Sequence, residues 1–212
     1  MPATVANAHE MTDAFMARAI SLSAEQGRAV RCAMGCFHCC REPVYVEKSE
    51  VQHIIDALSP EQLEALKERT RAWLEKFRSS GLHKTRKERV RSGSTDSTQD
   101  YSRLLRYRAQ NLWCPLLKDG LCSTYANRPL GCRTHAAIGH PAKCEQDDKR
   151  PKQVFLVTPS WPAEILGALS GDAPGSLYEF DHLGVWLSIL LLGESEQSAA
   201  AESYFVRQTD PE

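Results

Sequence analysis

Eight cysteines constrain this 212-residue chain more than any other feature of its sequence. They form a compact group and a spread group of four each, namely Cys32, Cys36, Cys39 and Cys40, then Cys114, Cys122, Cys132 and Cys144. An even number of cysteines is compatible with disulfides in an exported protein, and equally with metal binding or redox chemistry in a cytosolic one. The compartment therefore decides which use of the thiols to expect.

The start of the chain argues against export. It has no basic segment followed by an apolar one, and Glu10 and Asp13 stand where a signal peptide would be apolar. The longest apolar stretch, Leu183 to Leu192, has about half of the roughly 20 residues that cross a membrane. We therefore expect a cytoplasmic protein without a membrane segment, whose thiols bind metal or do redox chemistry instead of forming disulfides.

The overall charge gives no reason to expect a polyanionic partner, because 26 Lys and Arg face 27 Asp and Glu. Locally, residues 69–108 contain twelve Lys and Arg against four acidic residues. This basic segment could contact an acidic protein partner, although such runs are usually solvated loops. Few aromatic side chains accompany the charges, so nucleic-acid binding is disfavoured.

The compact group contains one C-x2-C element, formed by Cys36 and Cys39. In such a turn both thiolates face one side, so the pair can hold one metal ion or one cluster iron. Cys32 lies four residues upstream and is a third candidate ligand, and Gly35 allows the tight backbone that this convergence needs. Adjacent residues project in different directions, so either Cys39 or Cys40 should face a second site or pack as a buried thiol.

The spread group supplies single thiols instead of a second C-x2-C pair. Structural zinc usually takes two close pairs, whereas the larger iron–sulfur cluster accepts ligands from well-separated loops, so the spacing favours iron over zinc. Eight thiols could hold two clusters or two zinc ions, and seven ligands with one spare thiol fit equally well. Three histidines near these cysteines could replace a thiol: His38, His135 and His140.

Two blocks of sequence resemble a known family. RCAMGCFHCCREPVYV in the compact group and CPLLKDGLCSTYANRPLGCR in the spread group are similar to the bacterial cysteine-cluster proteins called YkgJ-like or CxxCxxCC, which are described as zinc- or iron-chelating. The matching residues are Cys36, Cys39 and Cys40 with Cys32 ahead of them, then Cys114, Pro115, Cys122, Tyr125, Arg128, Pro129, Cys132 and Arg133. Cys144 lies outside the strongest part of the motif, and the resemblance implies no defined reaction.

Positive charge near the thiols is expected from Arg128 and Arg133, where it would favour thiolates and offset the charge of a cluster. The alternative is a turn-and-surface role for both arginines. Tyr125 is interpreted as a core aromatic beside the site, and not as a catalytic phenol. His182 follows Asp181 on a predicted helix, where neighbouring residues do not face each other, so we expect an interface pair and assign no catalytic residue.

Apolar periodicity and capping signals predict a mainly α fold, in which a helical hairpin and further helices surround a loop-rich cysteine site with a small β-ribbon. The predicted helices span about 8–27, 49–58, 60–78, 98–111, 161–169 and 176–192, a short strand is possible at 154–157, and the ribbon turns at Asp119-Gly120. Residues 1–150 are predicted to form the cysteine domain, with a basic insert at 79–98. Residues 151–212 are predicted to form a helical extension packed on it.

Three functions remain open on these observations. The favoured one is an iron or iron–sulfur protein with a role in electron transfer, cluster handling or support of a partner enzyme. A zinc-stabilised interaction module is the second, since metal can replace a core that loops cannot build. The third is a metal-dependent redox enzyme, which needs an open coordination position.

Overall fold

The computed structural model describes residues 4–82, 105–139, 144, 154–155 and 180–193, and this part of the chain is mainly helical, as predicted. The helices are α1 (Val5–Glu25), α2 (Lys48–Asp56), α3 (Pro60–Ser79), α4 (Leu130–Thr134) and α5 (Leu183–Leu191), and residues 105–109 are also helical. Single 3-10 turns span His38–Arg41 and Tyr125–Asn127. The strands are β1 (Tyr45–Glu47), β2 (Leu117–Lys118), β3 (Leu121–Cys122), β4 (Ala136–Ala137), β5 (Val154–Phe155) and β6 (Phe180–His182), which pair antiparallel as β1–β6, β2–β3 and β4–β5.

The ends of α1 follow from local capping. The Thr4 hydroxyl accepts a hydrogen bond from Asn7 N at 3.1 Å. At the other end Gly27 has a φ of +73°, and Arg28 N donates to Ser23 O at 2.9 Å, which is a Schellman-type end. The prediction that Gly27 stops this helix is confirmed, while the helix itself begins three residues earlier than predicted.

The two helices predicted to form a hairpin are present as α2 and α3, and both pack against α5. Ser59 N donates to Gln62 Oε1 at 2.9 Å and Gln62 N donates to Ser59 Oγ at 3.3 Å, so the predicted capping box forms, with Pro60 in the first turn. The apolar stripe of α3 is buried as expected at Leu66, Thr70, Trp73, Leu74 and Phe77.

Helix α5 packs against α2 and α3 at the centre of the core, and its residues 183–188 are all buried. Two apolar clusters form the core, both with residues of α3 and α5, and the first also includes Val51 and Ile54 of α2. The first contains Val46, Val51, Ile54, Leu66, Leu116, Leu183, Trp186 and Leu187; the second contains Trp73, Leu74, Phe77, Tyr107, Leu112, Val185 and Leu192. The helices thus form a frame on which the cysteine loops rest.

The predicted helix over 176–192 is wrong at residues 180–182, which form β6 instead. These residues pair with β1, with Tyr45 opposite His182 and Glu47 opposite Phe180. The helix begins at Leu183, and the His182 Nδ1 atom caps it by accepting a hydrogen bond from Gly184 N at 3.0 Å. The pairing with a distant strand outweighs the local helical pattern here.

The predicted β-ribbon is confirmed as the β2–β3 hairpin. Its turn places Asp119 at φ +51° and Gly120 at φ +76°, the left-handed pair that favours an Asp-Gly turn. The predicted strand is present at 154–155, and helical residues 105–109 confirm part of the predicted helix 98–111. The predicted helix 161–169 and most of the basic insert lie outside the described residues. Within the described part, no helix has both the length and the apolar character to cross a membrane.

Candidate metal centre

The two cysteine groups meet along an extended stretch before the C-x2-C turn. Residues 29–32 run beside β4 and the residues after it, and Gly139 N donates to Ala29 O at 3.0 Å. Farther along, Ala137 N donates to the Cys32 sulfur at 3.2 Å. An amide N–H directed at a sulfur is the kind of contact that supports a metal-bound thiolate.

The C-x2-C turn itself is a tight loop. Gly35 has a φ of +92°, and Cys36 N donates to Ala33 O at 3.0 Å. The 3-10 turn that follows carries Cys39 and Cys40 and ends as Glu42 N donates to Cys39 O at 2.9 Å. Residues 31–45 include no fully buried residue, although Val44 at the end of the loop packs against the first core cluster.

A backbone hydrogen bond joins the two groups, because Cys114 N donates to Cys40 O at 2.7 Å. Beyond it, the β2–β3 hairpin places Cys122 opposite Leu117, and α4 carries Cys132. Cys114 and Cys122 also pack against the first core cluster. The second group is therefore anchored to the helical frame and faces the turn that holds Cys39 and Cys40.

Cys144 is held against the same turn by two arginines. Its carbonyl oxygen accepts hydrogen bonds from Arg108 Nη2 at 2.8 Å and from Arg41 Nη2 at 3.4 Å. Arg108 is 3% exposed, and its Nη1 atom lies 3.9 Å from Glu42 Oε1. The cysteine that is most remote in sequence thus lies next to the first group.

Electrostatics show which thiols of the spread group are neighbours. Burial raises the pKa of the Cys114 and Cys132 thiols, and repulsion from nearby thiolates raises the pKa of each further. For Cys114 these thiolates are Cys132, Cys122 and Cys39, and for Cys132 they are Cys39 and Cys122, with the Glu50 carboxylate adding to the repulsion. Cys39 therefore lies within electrostatic reach of the spread group.

The compact group is linked in the same way. Burial raises the pKa of Cys36 and raises that of Cys144 to about 11, and the thiolates of Cys32 and Cys39 repel both. A hydrogen bond with the Cys40 thiol, followed by burial, raises the pKa of Cys39 itself. A bound cation would offset this accumulated repulsion, because metal ligation requires and stabilises the thiolate form.

The donor set fits a soft metal such as zinc or iron, since all eight cysteines are free thiols. The thiols are neighbours and not a finished coordination shell: within the ranges that the structure describes, no three His, Cys, Asp or Glu side chains form a group that could hold a metal ion. Of the histidines proposed as substitutes, His38 stacks on Phe37 with ring centroids 5.4 Å apart, and His140 lies outside the described residues.

The residues predicted to surround the thiols occupy different places. Arg128 lies over the Tyr125 ring, 4.0 Å from its centroid, and its charge lowers the pKa of Cys132 in opposition to the larger raising effects. Arg133 is buried and directed toward α1, where it contacts the Asp13 carboxylate and lies 3.3 Å from His9 Nδ1. Arg128 is thus placed to affect a thiol, whereas Arg133 joins α4 to α1.

Sequence patterns did not single out the buried carboxylate that holds α4. Glu50 is 2% exposed, and its Oε1 atom accepts a hydrogen bond from Leu130 N at 2.7 Å and lies 3.6 Å from His9 Nε2. The position of Glu50 in a capping box at the start of α2 can be read from the sequence. Its hydrogen bond to α4, the helix that carries Cys132, joins residues 80 positions apart and cannot. A cavity of about 310 Å³ beside this cluster is lined by His9, Asp13, His53 and Arg133, among others.

Some basic residues of the segment 69–108 form hydrogen bonds with other parts of the same chain. Arg69 Nε donates to Pro115 O at 2.7 Å, Lys76 Nζ donates to Asn111 O at 3.0 Å, and Arg108 is buried against Cys144. His182 is also a structural residue, because its ring stacks on Trp73 with centroids 5.1 Å apart. Neither observation places a catalytic residue.

Comparison with known proteins bears on the cysteine groups. A family model named CxxCxxCC, with the description "Putative zinc- or iron-chelating domain", matches residues 31–155, which is more than half of the chain. The match includes all eight cysteines and leaves α1 and α5 outside. No curated protein and no solved structure matches the chain.

Proposed function

The chain belongs to the CxxCxxCC family, described as zinc- or iron-chelating, and we propose that it is a cytoplasmic iron or iron–sulfur protein that serves electron transfer, cluster handling or a partner enzyme. The observation that carries this proposal is the contact between the two cysteine groups at the 3-10 turn, where Cys114 N donates to Cys40 O at 2.7 Å and Arg41 Nη2 donates to Cys144 O at 3.4 Å. Iron bound there would supply one-electron redox chemistry.

The way in which the ligands arrive supports iron over zinc. Cys114 precedes a hairpin, Cys122 lies on a strand, and Cys132 lies on a five-residue helix, so each comes from a different backbone element. A cluster accepts such separated ligands more readily than a single zinc ion, which favours paired ones. The amide of Ala137 directed at the Cys32 sulfur is a contact that adjusts the potential of iron–sulfur centres.

Anaerobic purification tests this proposal directly. We expect a brown protein with visible sulfur-to-iron charge-transfer absorption, bound iron and acid-labile sulfide. A colourless protein with stoichiometric zinc and no iron after anoxic handling would contradict it. Serine substitution of Cys36 and, separately, of Cys39 should reduce the bound iron, whereas retention of full iron in both variants would remove the C-x2-C turn from the site.

A zinc-stabilised interaction module is the second candidate, and one observation favours it. Residues 31–43 contain no fully buried residue and no long regular element, and none of them belongs to the apolar clusters, so the apolar core does not hold this part of the loop. A structural metal would then supply the missing stabilisation. The acidic protein partner suggested by the basic segment belongs to this candidate, with residues 69–108 as its proposed contact.

A further inference from the structure

We infer that an exposed apolar patch beside the C-x2-C turn is a self-association surface, on which a second copy of this chain docks across a two-fold axis. The apolar patch consists of Met34, Phe37, Trp113 and Leu121. Met34 is 69% exposed, Leu121 is 52% exposed and Trp113 is 38% exposed. The inference goes beyond metal binding, because it depends on surface side chains and not on any thiol.

The apolar patch is continuous although its side chains come from separate segments of the chain. The Phe37 ring lies beside the Trp113 ring, with centroids 5.9 Å apart and planes at 57°. The Phe37 ring also lies 3.5 Å from where a Cβ atom would stand at Gly120, in the β2–β3 turn. Leu121 Cδ2 lies 3.9 Å from the corresponding position at Gly35. These contacts join the hairpin to the C-x2-C loop in one surface.

The apolar patch holds much of the exposed apolar surface of the described residues. Six large apolar side chains are exposed in that part of the chain, and three of them belong to the patch. A single exposed apolar residue is ordinary, whereas a contiguous group of them marks an interaction surface. Residues 31–35 are all exposed, so the edge of the patch at Met34 is accessible to another molecule.

The charges at the edge of the apolar patch favour a second copy as its occupant. Lys118 lies opposite Leu121 in the β2–β3 hairpin, Asp119 follows at the turn, and both are exposed. Arg31, three positions before Met34, is a further exposed basic residue. A surface of one sign would meet both a like and an opposite charge here. A second copy presents the same mixed edge, so the acidic side chain of each copy can face a basic one of the other.

The overall charge and the size of the apolar patch indicate a weak dimer. The chain has a net charge of -1, so long-range repulsion between copies is small. Stable interfaces bury about 800 Å² on each partner, which is more than four side chains supply. Trp113 precedes Cys114 and Leu121 precedes Cys122, so docking through the patch would place the candidate metal centres of two copies side by side.

Sedimentation equilibrium of the full chain under anaerobic reducing conditions tests the inference, since reduction excludes disulfide-linked dimers. We expect a dimer with a Kd between about 10 μM and about 1 mM. Met34→Gln should raise this Kd about 10-fold, because it removes a central apolar contact. Met11→Gln is the matched control and should leave the Kd unchanged, since Met11 is 47% exposed on α1, outside the patch.

A pair of charge variants tests the mixed edge separately. Lys118→Glu and Asp119→Asn should each weaken self-association by about 2- to 5-fold, and asparagine suits the φ of +51° at position 119. An equal mixture of the two variants, one of them labelled with ¹⁵N, should form mostly heterodimers in native mass spectrometry. Random pairing would give about half of all dimers as heterodimers.

Several results would overturn the inference. A chain that is still monomeric at about 1 mM would do so, as would a Met34→Gln variant whose Kd equals that of the wild type or of Met11→Gln. A heterodimer share of half or less would remove the charge pairing across the two-fold axis. A monomeric chain that binds vesicles containing phosphatidylserine would assign the apolar patch to a membrane instead. Far-UV circular dichroism of each variant checks that it is folded.

Discussion

At the residue scale, close packing around the buried Trp73 ring leaves room only for glycine at position 184. A Cβ atom at Gly184 would lie 2.6 to 2.7 Å from three atoms of that ring. The ring cannot easily shift, because it is 4% exposed and stacks on Phe77 with centroids 4.8 Å apart and on His182 at 5.1 Å. The second residue of α5 is therefore sterically restricted to glycine.

We expect Gly184→Ala to lower the free energy of unfolding by about 1–3 kcal/mol, because overpacking a rigid core displaces side chains. Gly193→Ala is the matched control, since an added Cβ at Gly193 meets no atom within 4 Å. Urea denaturation of the two variants measures the difference. Equal stabilities for both would contradict the packing described around Trp73.

The pKa of His53 is lowered from 6.5, first by burial and next by repulsion from His9. Arg133 lowers it further, while Asn127 through a hydrogen bond and Asp56 through its charge raise it in part. At a pH between this lowered pKa and 6.5, the unfolded chain binds more protons than the native chain. The contribution of His53 to the free energy of unfolding is therefore lost as the pH falls through that window. An NMR titration should give a midpoint below 6.5 for His53, and His53→Gln should remove this part of the pH dependence; a midpoint at or above 6.5 would contradict it.

At the scale of elements, buried polar contacts join the cysteine segments to the helices, in addition to the apolar packing of Cys114 and Cys122. Arg108 joins the helical residues 105–109 to Cys144, Glu50 joins α2 to α4, and Arg133 joins α4 to α1. Each of these side chains is buried, so loss of one partner would leave an unsatisfied polar or charged group. Helix α1, although outside the family match, is thereby connected to the helix that carries Cys132.

Arg108→Met should weaken Cd²⁺ binding by the cysteine groups by about 10- to 100-fold, because the side chain that holds Cys144 in place is lost. Arg108→Lys should restore part of the affinity. Arg71→Met is a suitable control, since Arg71 is a partly exposed helix residue that pairs with Glu68 far from the cysteines in sequence. Chelator competition measures both affinities, and unchanged binding in Arg108→Met would show that Arg108 does not position Cys144.

At the scale of the whole molecule, the stability of the helical frame and that of the cysteine loops have different sources. The frame is held by two apolar clusters that include residues of α2, α3 and α5, whereas residues 31–43 belong to neither cluster and include no fully buried residue. A metal bound by the native cysteines and absent from the unfolded chain would link the loops to the frame.

Removal of metal should therefore lower the Tm while most of the helical signal in circular dichroism is retained. Saturation at 100 times Kd stabilises the native state by about 2.7 kcal/mol, which is the size of the expected loss per site. Calorimetry with and without chelator, under reducing conditions, measures it. A Tm that does not change on complete metal removal would contradict a stabilising role for the metal.

Local patterns were sufficient for much of the fold and for the identity of the candidate ligands. The Ser59 capping box, the Gly27 stop and the Asp119-Gly120 turn each depend on residues a few positions apart, so their chemistry can be read along the chain. The same holds for the C-x2-C turn. These features predicted the two helices α2 and α3 and the ribbon, and they identified the eight thiols as candidate ligands.

Only the tertiary structure decided how distant segments meet. It placed 180–182 in a strand because their partner, β1, lies far back in the sequence. It brought Cys144 to the first group through Arg108, 36 positions away, and the Ala137 amide to Cys32, 105 positions away. The sequence by itself determined which donor atoms the protein has, because donor atoms follow from residue type. The tertiary structure decided how these atoms are grouped, because the grouping requires long-range contacts that form only when the whole chain packs.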